Sequence, residues 1–288
     1  MNTDYEIRSL ANSTFDELFD CHIEAFKDYP FQWSKAALQK TIHRRGYDPV
    51  LSFGAFYENK LVAFTWNGVG MFNNIKTAYD TGTGTIEEYR GKGLASKIFE
   101  HSIAFLKAAG IQQYILEVLT ENEKAFSVYR KQGFETTRIF DCFRTNSNEW
   151  QVPEVNGHNE ITLKEIGFGY RQQMEAMIDF NLSWQNNFQA LLKNPDDFIV
   201  IGAFNNDALI GYGILEPASG DIPQLAVAKN ERRKGIGSII LAKLQQLNKA
   251  DIVKVVNIPS TETGIIDFVT KNGIPKIVSQ YEMVKRIG

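Results

Sequence analysis

A basic, glycine-containing turn occurs twice in this chain and limits what it can fold into. Arg90-Gly91-Lys92-Gly93-Leu94-Ala95 and Arg232-Arg233-Lys234-Gly235-Ile236-Gly237 each follow an apolar, strand-like stretch and open an apolar, helix-like one. Such a junction presents unpaired backbone N–H groups beside a helix N-terminus, which makes it an anion site. Two copies imply a duplicated domain built to hold a phosphate-bearing ligand.

The repeat reaches beyond these turns. Phe53-Gly54-Ala55-Phe56 with Leu61-Val62-Ala63-Phe64 aligns without gaps on Ile201-Gly202-Ala203-Phe204 with Leu209-Ile210-Gly211-Tyr212. Glu58-Asn59-Lys60 and Asn206-Asp207-Ala208, polar residues between β-formers, read as hairpin turns. Glu6-Ile7-Arg8 likewise resembles Glu160-Ile161-Thr162. A chain of 288 residues suits two domains. The stretch Asn148–Asn159, with Pro153 and Gly157, is the expected linker, giving domains over 1–150 and 156–288.

In the first half, alternation and helical periodicity predict a strand near Tyr5–Leu10 and helices near Thr14–Phe26 and Ser34–Arg45. Strands follow near Val50–Tyr57, Leu61–Met71 and Ile75–Ile86. After the turn come a helix near Gly93–Ala109, a strand near Gln113–Leu119, a helix near Asn122–Gln132 and a strand near Phe134–Arg144. The second half repeats this order in shorter form. Mixed hairpins and strand–helix crossovers make an α/β (α+β) architecture, a mixed sheet flanked by helices in each half.

Hydrophobic content of 43%, charge content of 23% and a net charge of −3 describe an ordinary soluble protein and give no sign of nucleic-acid binding. No apolar run reaches membrane-span length. The acidic start Met1–Glu6 has no apolar signal region, so a cytoplasmic location is expected. Cys21 and Cys142 are too few for a disulfide framework or a zinc site, and His22, His43, His101 and His158 lack ligand spacing, so no metal is expected.

Neither common phosphate motif fits the turns. A Walker loop needs Gly-Lys-Ser/Thr, but Gly93 follows Gly91-Lys92. The dinucleotide fingerprint fails at its third glycine, where Ser96 and Ile240 stand. The pattern that fits is Arg/Gln-x-x-Gly-x-Gly/Ala, and both turns resemble the pyrophosphate loop of the GCN5-related N-acetyltransferases. That resemblance implies a sheet that splays between its fourth and fifth strands to admit acetyl-CoA. It implies cofactor contacts from Arg90, Gly91, Lys92, Gly93, Leu94 and Ala95, and from Arg232, Lys234, Gly235 and Gly237. It also maps an oxyanion-binding backbone N–H to about Ile86.

Downstream, Leu116-Glu117-Val118, Asn122, Ala125, Tyr129 and Gly133-Phe134 resemble the family's second signature, closest to the branch acting on N-terminal amines of ribosomal proteins. In that branch the strand Glu is the base and the helix Tyr the acid, so the resemblance implies those roles for Glu117 and Tyr129, and cofactor contact for Asn122. The chemistry asks for such groups, because a protonated amine must lose a proton to attack and a departing thiolate needs one. Read alone, Tyr129 also fits an inner-face aromatic and Glu117 a solvent-facing or ion-paired carboxylate. Asp80-Thr81-Gly82 imitates an aspartic-protease signature but has no partner copy. Trp33, Trp66, Trp150 and Trp184 read as core or pocket wall.

In the second half, aligning Gly273 with Gly133 puts Val269 at the Tyr129 position and Glu262 at the Asn122 position. That half reads as a silent binding domain, a scaffold, or a domain with another acid, the first two being preferred. The expected function is transfer from acetyl-CoA to a primary amine of a small molecule or peptide in a ternary complex. The alternative is an acyl-CoA-binding sensor or interaction module without turnover. The resemblance implies an acceptor pocket formed by Cys21–Gly46 and the late strands. Phe26, Tyr29, Phe31 and Trp33 make that segment aromatic, which suits an apolar or aromatic acceptor or, the preferred reading, ordinary core.

Overall fold

The aligned hairpins of the two halves share even their irregularities. Strands β2 (Phe53–Tyr57) and β3 (Lys60–Phe72) pair antiparallel with a register shift between Ala55 and Phe56. Strands β8 (Ile199–Asn205) and β9 (Ala208–Glu216) shift at the aligned place, between Ala203 and Phe204. Glu58, Asn59 and Asn206 take positive φ at the hairpin tips, the backbone a tight turn between right-twisted strands demands. A bulge kept at one position of a repeat belongs to the design of the sheet.

The computed structural model describes residues 5–28, 32–152 and 160–287. Tyr29, Phe31 and the Pro153–Asn159 part of the expected linker lie outside the described residues. The chain divides into two units, one of residues up to Thr137 together with Glu282 onward, the other Arg138–Tyr281. The division therefore falls ahead of the linker expected from composition, and it gives the last residues of the sequence to the first unit.

The first unit holds β1 (Glu6–Ser9), α1 (Phe15–Ala25), α2 (Lys35–Arg44), β2, β3, β4 (Ile75–Thr85), α3 (Leu94–Ala108), β5 (Gln113–Leu119) and α4 (Glu123–Lys131). It also holds the start of β6 (Glu135–Asn146) and the end of β12 (Lys276–Arg286). Its strands lie in the order β1-β2-β3-β4-β5-β12. Caps fix the helix starts. Thr14 and Glu17 form a reciprocal capping box on α1, Ser34 Oγ accepts from Ala37 N at 3.2 Å, and Asn122 Oδ1 accepts from Ala125 N at 3.1 Å. Phe53, Ala55, Ala63, Leu94 and Ile98 form the core under α3, while Leu18, Ala25, Phe64 and Trp66 form the core under α1.

The second unit holds β7 (Ile161–Ile166), α5 (Arg171–Glu175), α6 (Phe188–Leu191), β8, β9, β10 (Asp221–Val227), α7 (Ile236–Leu247), β11 (Ile252–Pro259) and α8 (Thr263–Lys271). The remainders of β6 and β12 complete it, in the order β12-β6-β11-β10-β9-β8-β7. The repeat is shortened where α1 and α2 stand in the first unit, since α5 and α6 have five and four residues. Trp150 and Trp184 are core residues, as is Trp66 in the first unit.

Both sheets part at the same place. β4 and β5 run parallel through Thr77–Gln113, Ala78–Tyr114 and Tyr79–Ile115, and then separate. β10 and β11 pair only at Asp221–Lys254. Each unit thus has a wedge between two parallel strands, beside a strand–turn–helix junction.

Candidate active site

The wedge of the first unit opens into a cavity of about 320 Å³. Its lining includes Asp80, Thr83 and Thr85 of β4, Tyr114 and Leu116 of β5, Ala95 and Phe99 of α3, and Tyr129 of α4. The Tyr129 ring packs edge-on against Phe134, with centroids 5.7 Å apart. Burial, and then the charge of Asp80, push the proton affinity of its hydroxyl upward, so Tyr129 keeps its proton through the neutral range.

Asp80 faces this cavity on the same side of β4 as Thr83. Its carboxylate accepts from Gly82 N at 2.9 Å and from Thr83 Oγ1 at 2.8 Å. Burial pushes its pKa up from 3.8 to about 6, against those two hydrogen bonds and the charge of Arg45. The folded chain therefore holds a proton that the unfolded chain releases. The stability from this proton is fully present below the ordinary carboxylate range and is lost as pH rises through about 6. Asp80→Asn escapes that loss, so its melting temperature relative to the parent should rise between about pH 4 and about pH 8. Thermal melts across the range check this, and a difference independent of pH counts against the assignment.

Glu117 lies elsewhere. Side chains alternate along a strand, so it projects from β5 on the face opposite Tyr114 and Leu116. There the Tyr79 hydroxyl donates to Glu117 Oε2 at 3.0 Å. Burial, and then the charge of Glu117, push the proton affinity of the Tyr79 hydroxyl upward, against the charge of Arg45. Tyr129 and Glu117 thus stand on opposite faces of the sheet, either side of the gap between β4 and β5.

The turn before α3 is left-handed at Gly91 (φ 77°) and Gly93 (φ 73°), and a Cβ on either would meet nothing within 4 Å. Packing therefore does not require glycine at these positions. No side chain caps α3 and its first turn holds no acidic residue, unlike α1 with Asp16 and Glu17. Its N-terminal N–H groups and its dipole remain available to an anion.

The side chains of several expected contact residues are engaged within the protein. The Arg90 guanidinium donates to the carbonyls of Thr85 (3.1 Å) and Ala25 (2.7 Å), bracing the turn against β4 and the end of α1. The Lys92 ammonium lies over the Tyr89 ring at 4.9 Å and the Tyr5 ring at 5.7 Å. Leu94 is buried in the core, and Asn122 is spent as a cap. The Ile86 N–H, the expected oxyanion donor, bonds Val62 O at 3.0 Å. Successive N–H groups of a strand alternate between its edges, so the donor turned toward the wedge is that of Thr85, which lines the cavity. Sequence reading gave no role to Asp80 or Thr85. Alternation in phase with Thr83 marks Thr85, whereas Asp80, three positions before Thr83, reaches the same face through the bulge opposite Trp66 and Asn67.

The second unit repeats the brace, with Arg232 donating to Val227 O (2.9 Å) and Met177 O (3.3 Å) and pairing with Asp179 at 2.5 Å. Lys234 pairs with Glu231 at 2.9 Å. Gly235 keeps φ 81°, and Arg233 adopts φ 64° where Gly91 stands in the first copy. A Cβ on Gly237 would lie 3.0 Å from the Phe268 ring. The wedge here opens into about 630 Å³, with Val269 and Glu262 in its lining.

The sequence profile of the acetyltransferase (GNAT) family matches residues 15–134 and 163–263. N-alpha-acetyltransferase 30 of Schizosaccharomyces pombe is 41% identical over 49 residues, 17% of this chain and 33% of that protein. N-alpha-acetyltransferase MAK3 of Arabidopsis thaliana is 29% identical over 86 residues, 30% of this chain and 45% of that protein. The chain thus spans less than half the length of these curated relatives. The tandem GNAT protein from the clavulanic acid biosynthesis pathway shares its fold, with a TM-score of 0.75, 11% identity and 99% of both chains covered. A putative acetyltransferase from Pyrococcus horikoshii does so at 0.71, with 16% identity over 99% of this chain and 90% of that one.

Proposed function

The chain belongs to the acetyltransferase (GNAT) family, and on that premise we propose that its first unit transfers an acetyl group from acetyl-CoA to a primary amine. The observation that carries this reading is the pair Tyr129 and Glu117 on opposite sides of the parted strands. Acetyl-CoA supplies a thioester carbonyl and a thiol leaving group. The uncapped start of α3 and the open space at Gly91 and Gly93 suit its pyrophosphate. The wedge between β4 and β5 suits its pantetheine arm.

The amine enters from the Glu117 face, and Glu117 takes its proton as the nitrogen lone pair attacks the carbonyl carbon. Tyr79 holds the carboxylate in place through its hydrogen bond. The Thr85 N–H is placed to receive the charge that develops on the carbonyl oxygen. As the C–S bond breaks, the Tyr129 hydroxyl gives its proton to sulfur. Burial, and then the charge of Asp80, keep that proton on Tyr129 beforehand. Acceptor specificity falls to α1, α2 and their connection. The α-amine of a peptide is the first class to try, given the names of the two curated relatives.

The test is thiol release from acetyl-CoA with a panel of amines and N-terminal peptides. Acceptor-dependent release supports the reading, and binding without release in every case sinks it. A second measurement isolates the turn. Asparagine tolerates the left-handed conformation at a cost of about 1 kcal/mol or less. Gly93→Asn should therefore fold normally, yet its side chain enters the space assigned to pyrophosphate. With the second turn disabled by Gly235→Asn, calorimetry should show acetyl-CoA affinity reduced about tenfold or more, the loss of roughly one charge-assisted contact. Unchanged affinity would remove the turn from the binding site.

A further inference from the structure

The two wedges share a frame and differ in size and at the positions that flank the parted strands. Aligned on their basic turns and on Gly133 with Gly273, Asp80, Thr83 and Tyr129 of the first correspond to Ile222, Leu225 and Val269 of the second. All six line their respective cavities. The acid position and the two β4 polar positions are thus replaced by aliphatic residues, while Asn257 and Asp221 stand where Glu117 and Tyr79 do, and the cavity grows from about 320 to about 630 Å³. Met177, Phe180 and Leu182 extend the apolar lining.

The gap between the strands is bridged as well. Asn186 Nδ2 donates to Val256 O of β11 at 2.7 Å, and its backbone carbonyl accepts from Gln224 Nε2 of β10 at 2.7 Å. Gln224 Oε1 in turn accepts from the Tyr212 hydroxyl at 2.9 Å. Asn186 therefore ties the parted strands together. It is 3% exposed and lines the cavity, and its Oδ1 has no hydrogen-bond partner among the described residues. A buried acceptor without a donor is costly unless a ligand supplies one.

We propose that the second unit is a binding site for a medium-chain acyl-CoA, which it holds without transferring the acyl group. The turn from Arg232 to Gly237 receives the pyrophosphate, and Ile222, Leu225 and Val269 enclose the aliphatic chain. Asn186 Oδ1 accepts an amide N–H of the pantetheine arm. No bond is made or broken, because no acid stands at Val269 and the Asn186 bridge fills the gap an amine would use. The inference rests on the reading that this frame holds CoA, but not on turnover by the first unit.

The test uses the full chain carrying Gly93→Asn and calorimetry with acetyl-CoA, octanoyl-CoA and octanoate. Each buried methylene is worth a factor of roughly four, so octanoyl-CoA should bind about a hundredfold more tightly than acetyl-CoA even if its chain is only partly enclosed. Octanoate, which lacks the pyrophosphate, should bind far more weakly. Leu225→Thr, which installs the residue of the first wedge at a half-buried position, should remove most of the preference while leaving the melting temperature in place. Gly235→Asn should weaken octanoyl-CoA whatever its effect on acetyl transfer. Equal binding of the two thioesters overturns the proposal, as does octanoate binding as tightly as octanoyl-CoA. Amine-dependent thiol release from octanoyl-CoA that disappears with Gly235→Asn overturns the silent part. If the first unit does not bind acetyl-CoA, the parent and Gly93→Asn isotherms coincide. The octanoyl preference still reports on the second unit in that case.

Discussion

A chain ending at Tyr281 should lose acetyl transfer entirely, although every residue assigned to the chemistry remains. The residues removed close the first unit beside β5. Met283 is fully buried and Ile287 nearly so. Ile287 N donates to Gln112 O at 3.0 Å, Arg286 to Gln113 Oε1 at 2.8 Å, Thr137 Oγ1 to Glu282 Oε1 at 2.7 Å, and Lys285 to the Gln132 carbonyl. Burying two large aliphatic side chains is worth roughly 3–6 kcal/mol, comparable with the whole stability of a marginal domain. Without them β5 becomes an open edge, and the strand carrying Glu117 loses its neighbour. Amide exchange over Gln113–Leu119 should accelerate, while β8 and β9 of the second unit stay protected. Normal turnover with unchanged protection of β5 would show that these residues are dispensable.

Tyr129→Phe should lower turnover by about a hundredfold to a thousandfold, the range for losing a positioned proton donor. Acetyl-CoA affinity should change little. The ring and its edge-on contact with Phe134 remain, and only the hydroxyl is lost. That hydroxyl matters when sulfur departs, so its loss belongs to kcat rather than to ground-state binding. Steady-state kinetics with a competent amine, beside calorimetry with acetyl-CoA, separates the two quantities. Turnover within twofold of the parent would mean that the thiolate leaves without this residue.

What could be read from the sequence depended on how locally each feature is determined. The strand Gln113–Leu119 and the helices started by Thr14, Ser34 and Asn122 are written in alternation and capping, which need only near neighbours. The repeated turns were legible because a left-handed glycine and an uncapped helix start are local demands. The backbone N–H turned toward the wedge is that of Thr85, one residue from the expected Ile86, whose N–H bonds Val62 O. Which edge an N–H faces depends on the register against β3, and a bulge near Trp66 and Asp80 sets that register. The brace from Arg90 to Ala25 was equally hidden, since it joins positions far apart in the chain. The Asp80 proton affinity comes from burial on all sides, which no spacing in the sequence reports.

The assignment of Glu282 onward to the first unit also orders events in time. As the chain leaves the ribosome, the residues up to Thr137 emerge without the strand that closes their sheet. They must wait while all of Arg138–Tyr281 is synthesised, on the order of ten seconds at ordinary rates. Through that interval β5 is an unprotected edge, open to pairing with a neighbouring nascent chain or to capture by a chaperone. The first unit is therefore translated first and completed last, so no acetyl transfer is expected from a chain whose second half has not yet been made.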